Sequence, residues 1–178
     1  MIYLRKAAFC LLLIVTHFSS FTVISPKNTI FAFDMHNVFM IEGKPSFFRK
    51  LLYDQPYFMM DTVQFIKQLK KEGYPVFVLT NCPKEGYDRL CTIFSSIFGL
   101  FDGAYMPSKA NGYNHKPKAS FYKEFKTYVA ARGHSSKQII FIDDLKQNIL
   151  AAEKEGMLAI QFKTITQVKT DISHLLYA

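Results

Sequence analysis

The sequence predicts an open α/β fold: a three-layer sandwich with a central, mostly parallel sheet of about five strands between two layers of helices. Short unbroken apolar runs alternate along the chain with segments of helical period. The runs have the length and composition of strands buried on both faces, as in parallel sheets. The longest of them end at polar residues, where a buried strand gives way to a loop.

The first residues differ in kind from the rest. Arg5 and Lys6 precede an apolar stretch, Ala7 to Val15, that runs on to Ile24 with no acidic residue before Asp34. A charged start followed by an apolar run is the pattern of an export signal. No A-x-A closes it, and His17, Ser19 and Ser20 interrupt it, so signal and uncleaved anchor both stay open for residues 1–25. The chain is accordingly expected to be exported or membrane-anchored, with membrane contact only through residues 7–24. If that segment comes from an over-long gene start, the chain is cytoplasmic.

Residues 26–178 form the expected folded domain, with residues 40–60 as a short cap or flap insertion. Ile30-Phe31-Ala32-Phe33 reads as a strand ending at Asp34. In the insertion, Phe47, Phe48, Leu51 and Leu52 could form a cover of about one and a half helical turns to which Tyr57, Phe58, Met59 and Met60 add apolar surface, but packing of these aromatics on the core edge is the favoured reading. Val63, Ile66 and Leu69 mark a helix stopped by Gly73. Val76 to Leu79 is a strand ending at Thr80-Asn81. Tyr87, Leu90, Cys91, Phe94, Ile97 and Phe98 predict one helix, opened by Pro83 and stopped by Gly99. After a short strand at Ala104–Met106, Phe121, Tyr122, Phe125, Tyr128 and Val129 predict a third helix. Ile139 to Ile142 is a strand ending at Asp143-Asp144. A fourth helix, Lys146 to Glu155, is closed by Gly156, and Leu158–Ile160 is the last strand.

Composition narrows the function classes. With 178 residues, 49% hydrophobic and 20% charged, the chain is globular rather than disordered, and it has no internal repeat. Its cysteines, Cys10, Cys82 and Cys91, lack CxxC spacing, which excludes a structural zinc site or a disulfide scaffold. On a continuous helix Cys82 and Cys91 would lie roughly 13 Å apart, too far for a bridge. The net charge of +8 is spread among acids with no long basic run, which argues against a nucleic-acid partner and for a solvated surface that favours anionic substrates.

The informative residues are those after the strands. Asp34, Thr80, Asn81, Asp143 and Asp144 all follow predicted central strands, and ligands of open α/β sheets bind at those carboxyl ends. Carboxylates brought together there repel unless protonated or bridged by a cation, and an oxygen-only ligand set suits Mg²⁺. The basic Lys116 lies in the loop before the third helix.

The segment Phe33-Asp34-Met35-His36-Asn37-Val38-Phe39, then Leu79-Thr80-Asn81, then Lys116-Pro117, then Phe141-Ile142-Asp143-Asp144 with Asn148 and Ala151-Ala152, resembles the four ordered motifs of the haloacid dehalogenase superfamily. The resemblance covers about residues 29–162 and is nearest to the first subfamily of these phosphohydrolases. It implies a Rossmann-like domain acting as a Mg²⁺-dependent phosphomonoester hydrolase. Asp34 would attack phosphorus to form an aspartyl-phosphate. The metal would be held by Asp34, the His36 backbone carbonyl and Asp144. Thr80, Asn81 and Lys116 would bind the phosphoryl group, the first through its hydroxyl and the second through its backbone N–H. Asp143 would orient Lys116 or a metal-bound water, and Asn148 stands where the family often has another acid.

The sequence departs from the family pattern in three places. His36 occupies the position of the usual acid–base aspartate, a role an imidazole can fill because it titrates near neutrality. Asn37 replaces the glycine common beside it, and Asn is the residue besides glycine best suited to left-handed backbone angles. The helical cap is also missing, since only Met40 to Met60 separates the first motif from the next helix. An uncapped site implies a bulky phosphorylated substrate, or closure by a partner; Lys44, Arg49, Lys50, Lys109 and Lys118 either flank its entrance and attract anions or are ordinary solvated cations. The rival readings are a catalytically weak or inactive relative with a binding role, and a dehalogenase, against which Asp143-Asp144 argue because that chemistry needs no metal. A receiver domain would carry its acidic pair before the reactive aspartate rather than last. The sequence carries no signal of oligomeric state.

Overall fold

In the computed structural model, which describes residues 24–41, 57–135 and 137–177, Thr29–Phe33 is the central strand β1, every residue of it buried. A small antiparallel hairpin follows, β2 (Met40–Ile41) and β3 (Tyr57–Phe58). The chain continues through α1 (Met60–Lys71), β4 (Val76–Leu79), α2 (Lys84–Ile93), α3 (Ser95–Phe98), β5 (Gly103–Tyr105), a 3₁₀ turn (Lys109–Asn111), α4 (Ala119–Val129), β6 (Gln138–Asp143), α5 (Lys146–Lys154), β7 (Leu158–Gln161) and α6 (Ile165–Tyr177). The five-stranded sheet has the order β5-β4-β1-β6-β7 and is parallel throughout.

That order positions the site. From β1 the chain adds β4 and β5 on one side, then returns to place β6 and β7 on the other. The direction of winding therefore reverses between β1 and β6, and a crevice opens at their carboxyl ends. Register brings the ends level: Phe33 pairs with Val78 on one side and Ile142 on the other.

The alternation of side chains divides the apolar runs between two cores. Phe31, Phe33, Val76, Val78, Ile140 and Ile142 face Ile66 and Leu69 of α1 and Val168 of α6. Ile30, Ala32, Phe77, Leu79, Ile139 and Phe141 face Phe121, Tyr122 and Phe125 of α4 and Ile149 and Ala152 of α5. Each fully buried phenylalanine contributes about 1.5–3 kcal/mol of transfer free energy. Gly73 (φ 86°) and Gly156 (φ 80°) end α1 and α5 in left-handed conformations, as their stop positions predict.

Two elements differ from the sequence reading. The helix expected over residues 83–98 divides at Phe94 (φ −119°, ψ 43°) into α2 and α3. The Phe94 ring packs on Phe58 of β3 with centroids 5.0 Å apart, and the backbone turns there instead of continuing. The helix α6 was not expected. Its signals are present nonetheless: Ile165, Val168, Ile172 and Leu175 repeat at helical period against the first core, and the Thr164 hydroxyl caps the start by accepting from the Gln167 N–H at 3.2 Å. Phe58 and Met59 pack on the core edge as expected, whereas Tyr57 and Met60 are exposed.

No described helix is long and apolar enough to cross a membrane. The apolar stretch up to Val23, the short cover at Phe47, Phe48, Leu51 and Leu52, and Lys44, Arg49 and Lys50 lie outside the described residues. Cys82 and Cys91 are not joined in a disulfide.

Candidate functional site

Asp34 is the first residue past β1, yet its N–H still donates to the Ile142 carbonyl at 2.8 Å. The ladder thus runs one step beyond the strand and fixes the aspartate against the end of β6. The chain then turns. His36 is half-buried and bridges to Met40, and Asn37 takes the left-handed conformation (φ 57°) that its residue type suits. The Asn37 N–H donates to the Met40 carbonyl at 2.8 Å, closing the loop.

Lys116 organises the charges. It reaches in from the loop before α4 and is 2% exposed. Its Nζ lies 2.8 Å from Asp34 Oδ1 and 2.6 Å from Asp143 Oδ2, and 5.3 Å from the centre of the Phe141 ring. Asn81, past the end of β4, holds the lysine's backbone from both sides: its Nδ2 donates to the Lys116 carbonyl at 3.1 Å, and the Lys116 N–H donates to its Oδ1 at 2.8 Å. Beside it Thr80 is fully buried. Its N–H donates to the Tyr105 carbonyl, and its hydroxyl accepts from the Cys82 N–H at 3.2 Å.

The two acids at the end of β6 have different surroundings. Asp143 is fully buried. Besides Lys116, it accepts from the Leu145 N–H at 2.8 Å and from Asn148 Nδ2, which stands 3.0 Å from both carboxylate oxygens. Asn148 is anchored in turn by the Tyr122 hydroxyl, which donates to its carbonyl at 3.0 Å. Asp144 is half-buried. Its Oδ2 accepts from Asn37 Nδ2 at 2.9 Å, and its carbonyl accepts from Gln161 Nε2 at 3.0 Å.

Asp34, Asp143 and Asp144 can each offer an oxygen such that all three lie within 4.8 Å of one another. Burial pushes the Asp34 carboxyl up from its ordinary value of 3.8; the Lys116 ammonium pulls it back down, and Asp143 adds to the rise. Burial likewise raises the Tyr122 hydroxyl, with Asp143 and Asp34 adding to it. A single ammonium among three carboxylates leaves the cluster electron-rich, and its hard oxygen donors suit a small divalent cation.

The structure brings together Asp34, Lys116, Asp143, Asp144 and Asn148, places His36 on the Asp34 loop, and ties Asn81 to Lys116. Lys109 and Lys118 are exposed. Two contacts are new relative to the sequence reading. Asn81 acts through its side chain on Lys116, and Asn37 reaches Asp144 across 107 residues. Polar amide residues at strand-end loops were the only signal for either.

No family model matches the chain. A curated relative, the sesquiterpene phosphatase astK of Aspergillus oryzae, is 30% identical over 95 residues, which is 53% of this chain and 45% of that protein. The match thus spans a little under half of that relative's length. Among solved structures, a hydrolase from Streptococcus pneumoniae superposes with a TM-score of 0.61 at 11% identity, covering 83% of this chain and 99% of that one. A haloacid dehalogenase family enzyme of Bacteroides thetaiotaomicron, in complex with magnesium and inorganic phosphate, gives a TM-score of 0.59 at 12% identity over 79% of this chain and 98% of that one. A haloacid dehalogenase-like protein of Streptococcus pneumoniae gives 0.56 at 15% identity over 77% and 85%. With its strand order and the level ends of β1, β4 and β6, the chain has the fold of these haloacid dehalogenase family structures.

Proposed function

We propose that the protein is a phosphomonoester hydrolase that works through Asp34 with the help of Mg²⁺. The observation that carries this reading is Lys116 bridging the carboxylates of Asp34 and Asp143 at 2.8 and 2.6 Å beside a third acid, at the carboxyl ends of the strands where the winding reverses. The sesquiterpene phosphatase relative and the magnesium-bound, phosphate-bound structural neighbour support it.

The donor set fits magnesium: three carboxylates within reach of one another, and hard oxygens only. Asp34, Asp144 and the His36 backbone carbonyl would hold the ion, which would supply electrostatic stabilisation of a phosphoryl group. The protein's own groups account for the remaining steps. The Asp34 carboxylate attacks phosphorus, the ester P–O bond breaks, and its electron pair leaves on the alcohol oxygen, which takes a proton from His36. Water then attacks the aspartyl-phosphate, gives its proton to His36, and releases inorganic phosphate and free Asp34. Lys116, held by Asn81 and Asp143, keeps a fixed positive charge where the phosphoryl oxygens gain negative charge, and Thr80 and the Asn81 N–H donate to them.

The test is phosphate release from an aryl phosphate by the full chain, with and without Mg²⁺, beside Asp34→Asn. Turnover that needs both the metal and Asp34 is expected; metal-independent turnover surviving Asp34→Asn would exclude the mechanism. His36 in place of an aspartate favours a second reading, a binding protein of the same fold without turnover. Activity that is absent in the native chain and appears in His36→Asp would select it.

A further inference from the structure

Among the three clustered acids, Asp144 is held differently. Lys116 engages Asp34 Oδ1 and Asp143 Oδ2, and Asp143 Oδ1 accepts from the Leu145 N–H and Asn148. Asp144 receives a neutral donor instead, the Asn37 carboxamide on Oδ2 at 2.9 Å. That amide is mounted on an anchored turn: Asn37 sits at φ 57°, and its own N–H is fixed to the Met40 carbonyl at 2.8 Å.

We propose that Asn37 is a positioning residue that tunes the cation preference of the site: by donating to Oδ2 it leaves Oδ1 as the better ligand oxygen of Asp144 and so favours Mg²⁺ over Ca²⁺. The inference rests on the reading of this cluster as a magnesium site. Mg²⁺ takes a near-ideal octahedron and accepts one oxygen from each carboxylate, whereas Ca²⁺ takes six to eight oxygens and readily chelates both oxygens of one carboxylate. Bidentate chelation by Asp144 requires the oxygen that Asn37 holds. An oxygen that already accepts a hydrogen bond is the weaker donor to a cation, so the larger ion gains its second oxygen only by competing with the amide or tilting the carboxylate, while the smaller ion uses the carboxylate as it stands. The hydrogen bond also orients the remaining oxygen, as partners behind a metal ligand commonly do.

The experiment is calorimetric titration of the full chain, freed of metal and without substrate, with Mg²⁺ alone and with Ca²⁺ alone, for the native protein, Asn37→Gly and Asn37→Asp. Glycine takes the left-handed turn without strain, so Asn37→Gly removes the amide and keeps the loop. Mg²⁺ affinity should fall about tenfold in Asn37→Gly, while Ca²⁺ affinity holds or rises, so that the ratio of the two drops by at least that factor. In Asn37→Asp the donor becomes a carboxylate, and Ca²⁺ should gain more than Mg²⁺. An unchanged ratio in both variants, whether the two affinities fall together or neither moves, overturns the proposal, as does a native chain that binds neither ion. Turnover plays no part in this readout. Asp34-dependent hydrolysis with an unchanged ratio would leave the phosphatase reading standing without this one, and a shifted ratio without hydrolysis would do the reverse.

Discussion

The two sides of the acid cluster are built on opposite plans. On one side, Lys116, Asp143 and Asn148 are 2%, 0% and 1% exposed, and they come from a loop, a strand end and a helix that lock one another through charge-assisted hydrogen bonds. On the other, His36 and Asp144 are half-buried, Asn37 is exposed, and the hydrogen bond from the Asn37 amide to Asp144 ties the two loops without a lysine between them. The closed side fixes charges that need not move during a reaction. In the proposed reaction the open side carries the groups that exchange protons, admit a cation and meet a substrate. In that reaction positioning and turnover fall to different residues, with Asp34, touching Lys116 at 2.8 Å, at their boundary.

The largest test of the closed side is Lys116→Met, which keeps the apolar stem near Phe141 and deletes the charge. Asp34 and Asp143 would then be buried without their shared cation, a loss of about 3–5 kcal/mol. That corresponds to a melting temperature lower by roughly 6–20 °C for a chain of this size, together with loss of turnover. A change under about 1 kcal/mol would show that the acids do not depend on the lysine.

The open side should respond in the opposite sense. His36→Ala is expected to lower turnover about 10²-fold while changing stability by no more than about 0.5 kcal/mol; His36→Asp should restore activity with an altered pH profile. A melting temperature that falls in step with activity would assign His36 to the closed side. Smaller again is Asn148. Asn148→Ala removes the amide donor from both oxygens of a buried carboxylate, costing about 1–3 kcal/mol, and Asn148→Asp should cost more, because a new negative charge then faces Asp143. Thermal melts of the two variants without divalent metal check the order; equal stability of Asn148→Asp and the native chain would mean that the closed side still has room for charge.

The same division explains what the sequence could reveal. The strands were legible because both faces of the sheet are covered, so each core strand is an uninterrupted apolar run, and the residue that ends the run is the residue at the crevice. Asp34, Thr80, Asn81 and Asp143-Asp144 are found this way, and Lys116 by its place before a helix. The contacts that organise them were not legible. Asn37 to Asp144 and Asn81 to Lys116 join residues 107 and 35 positions apart, and no local period encodes a distant hydrogen-bond partner. The break at Phe94 was hidden for a related reason: the apolar period runs straight through it, and only packing against Phe58 interrupts the backbone. The missed helix α6 is a different case, since Thr164 and the spacing of Ile165, Val168, Ile172 and Leu175 announce it locally.

The smallest expected effect concerns the boundary residue itself. Burial, the larger influence, pushes the Asp34 carboxyl above 3.8, and the opposing pull of Lys116 does not cancel it. A carboxyl whose folded pKa exceeds its unfolded one binds its proton more tightly in the native state. Its contribution to stability is most favourable below 3.8, where both states are protonated, declines as pH rises from there through the raised native value, and stays low above it. Asp34→Asn has no proton to lose and leaves Lys116 paired with Asp143. Without divalent metal it should therefore melt above the native chain near neutral pH, with the difference shrinking as the pH is brought down toward the unfolded carboxylate value. Added Mg²⁺ should narrow the gap from the other direction, because the cation compensates the charge only where Asp34 carries it. If Asp34→Asn instead melts lower at neutral pH, the ion pair with Lys116 outweighs desolvation, and the nucleophile belongs structurally to the closed side.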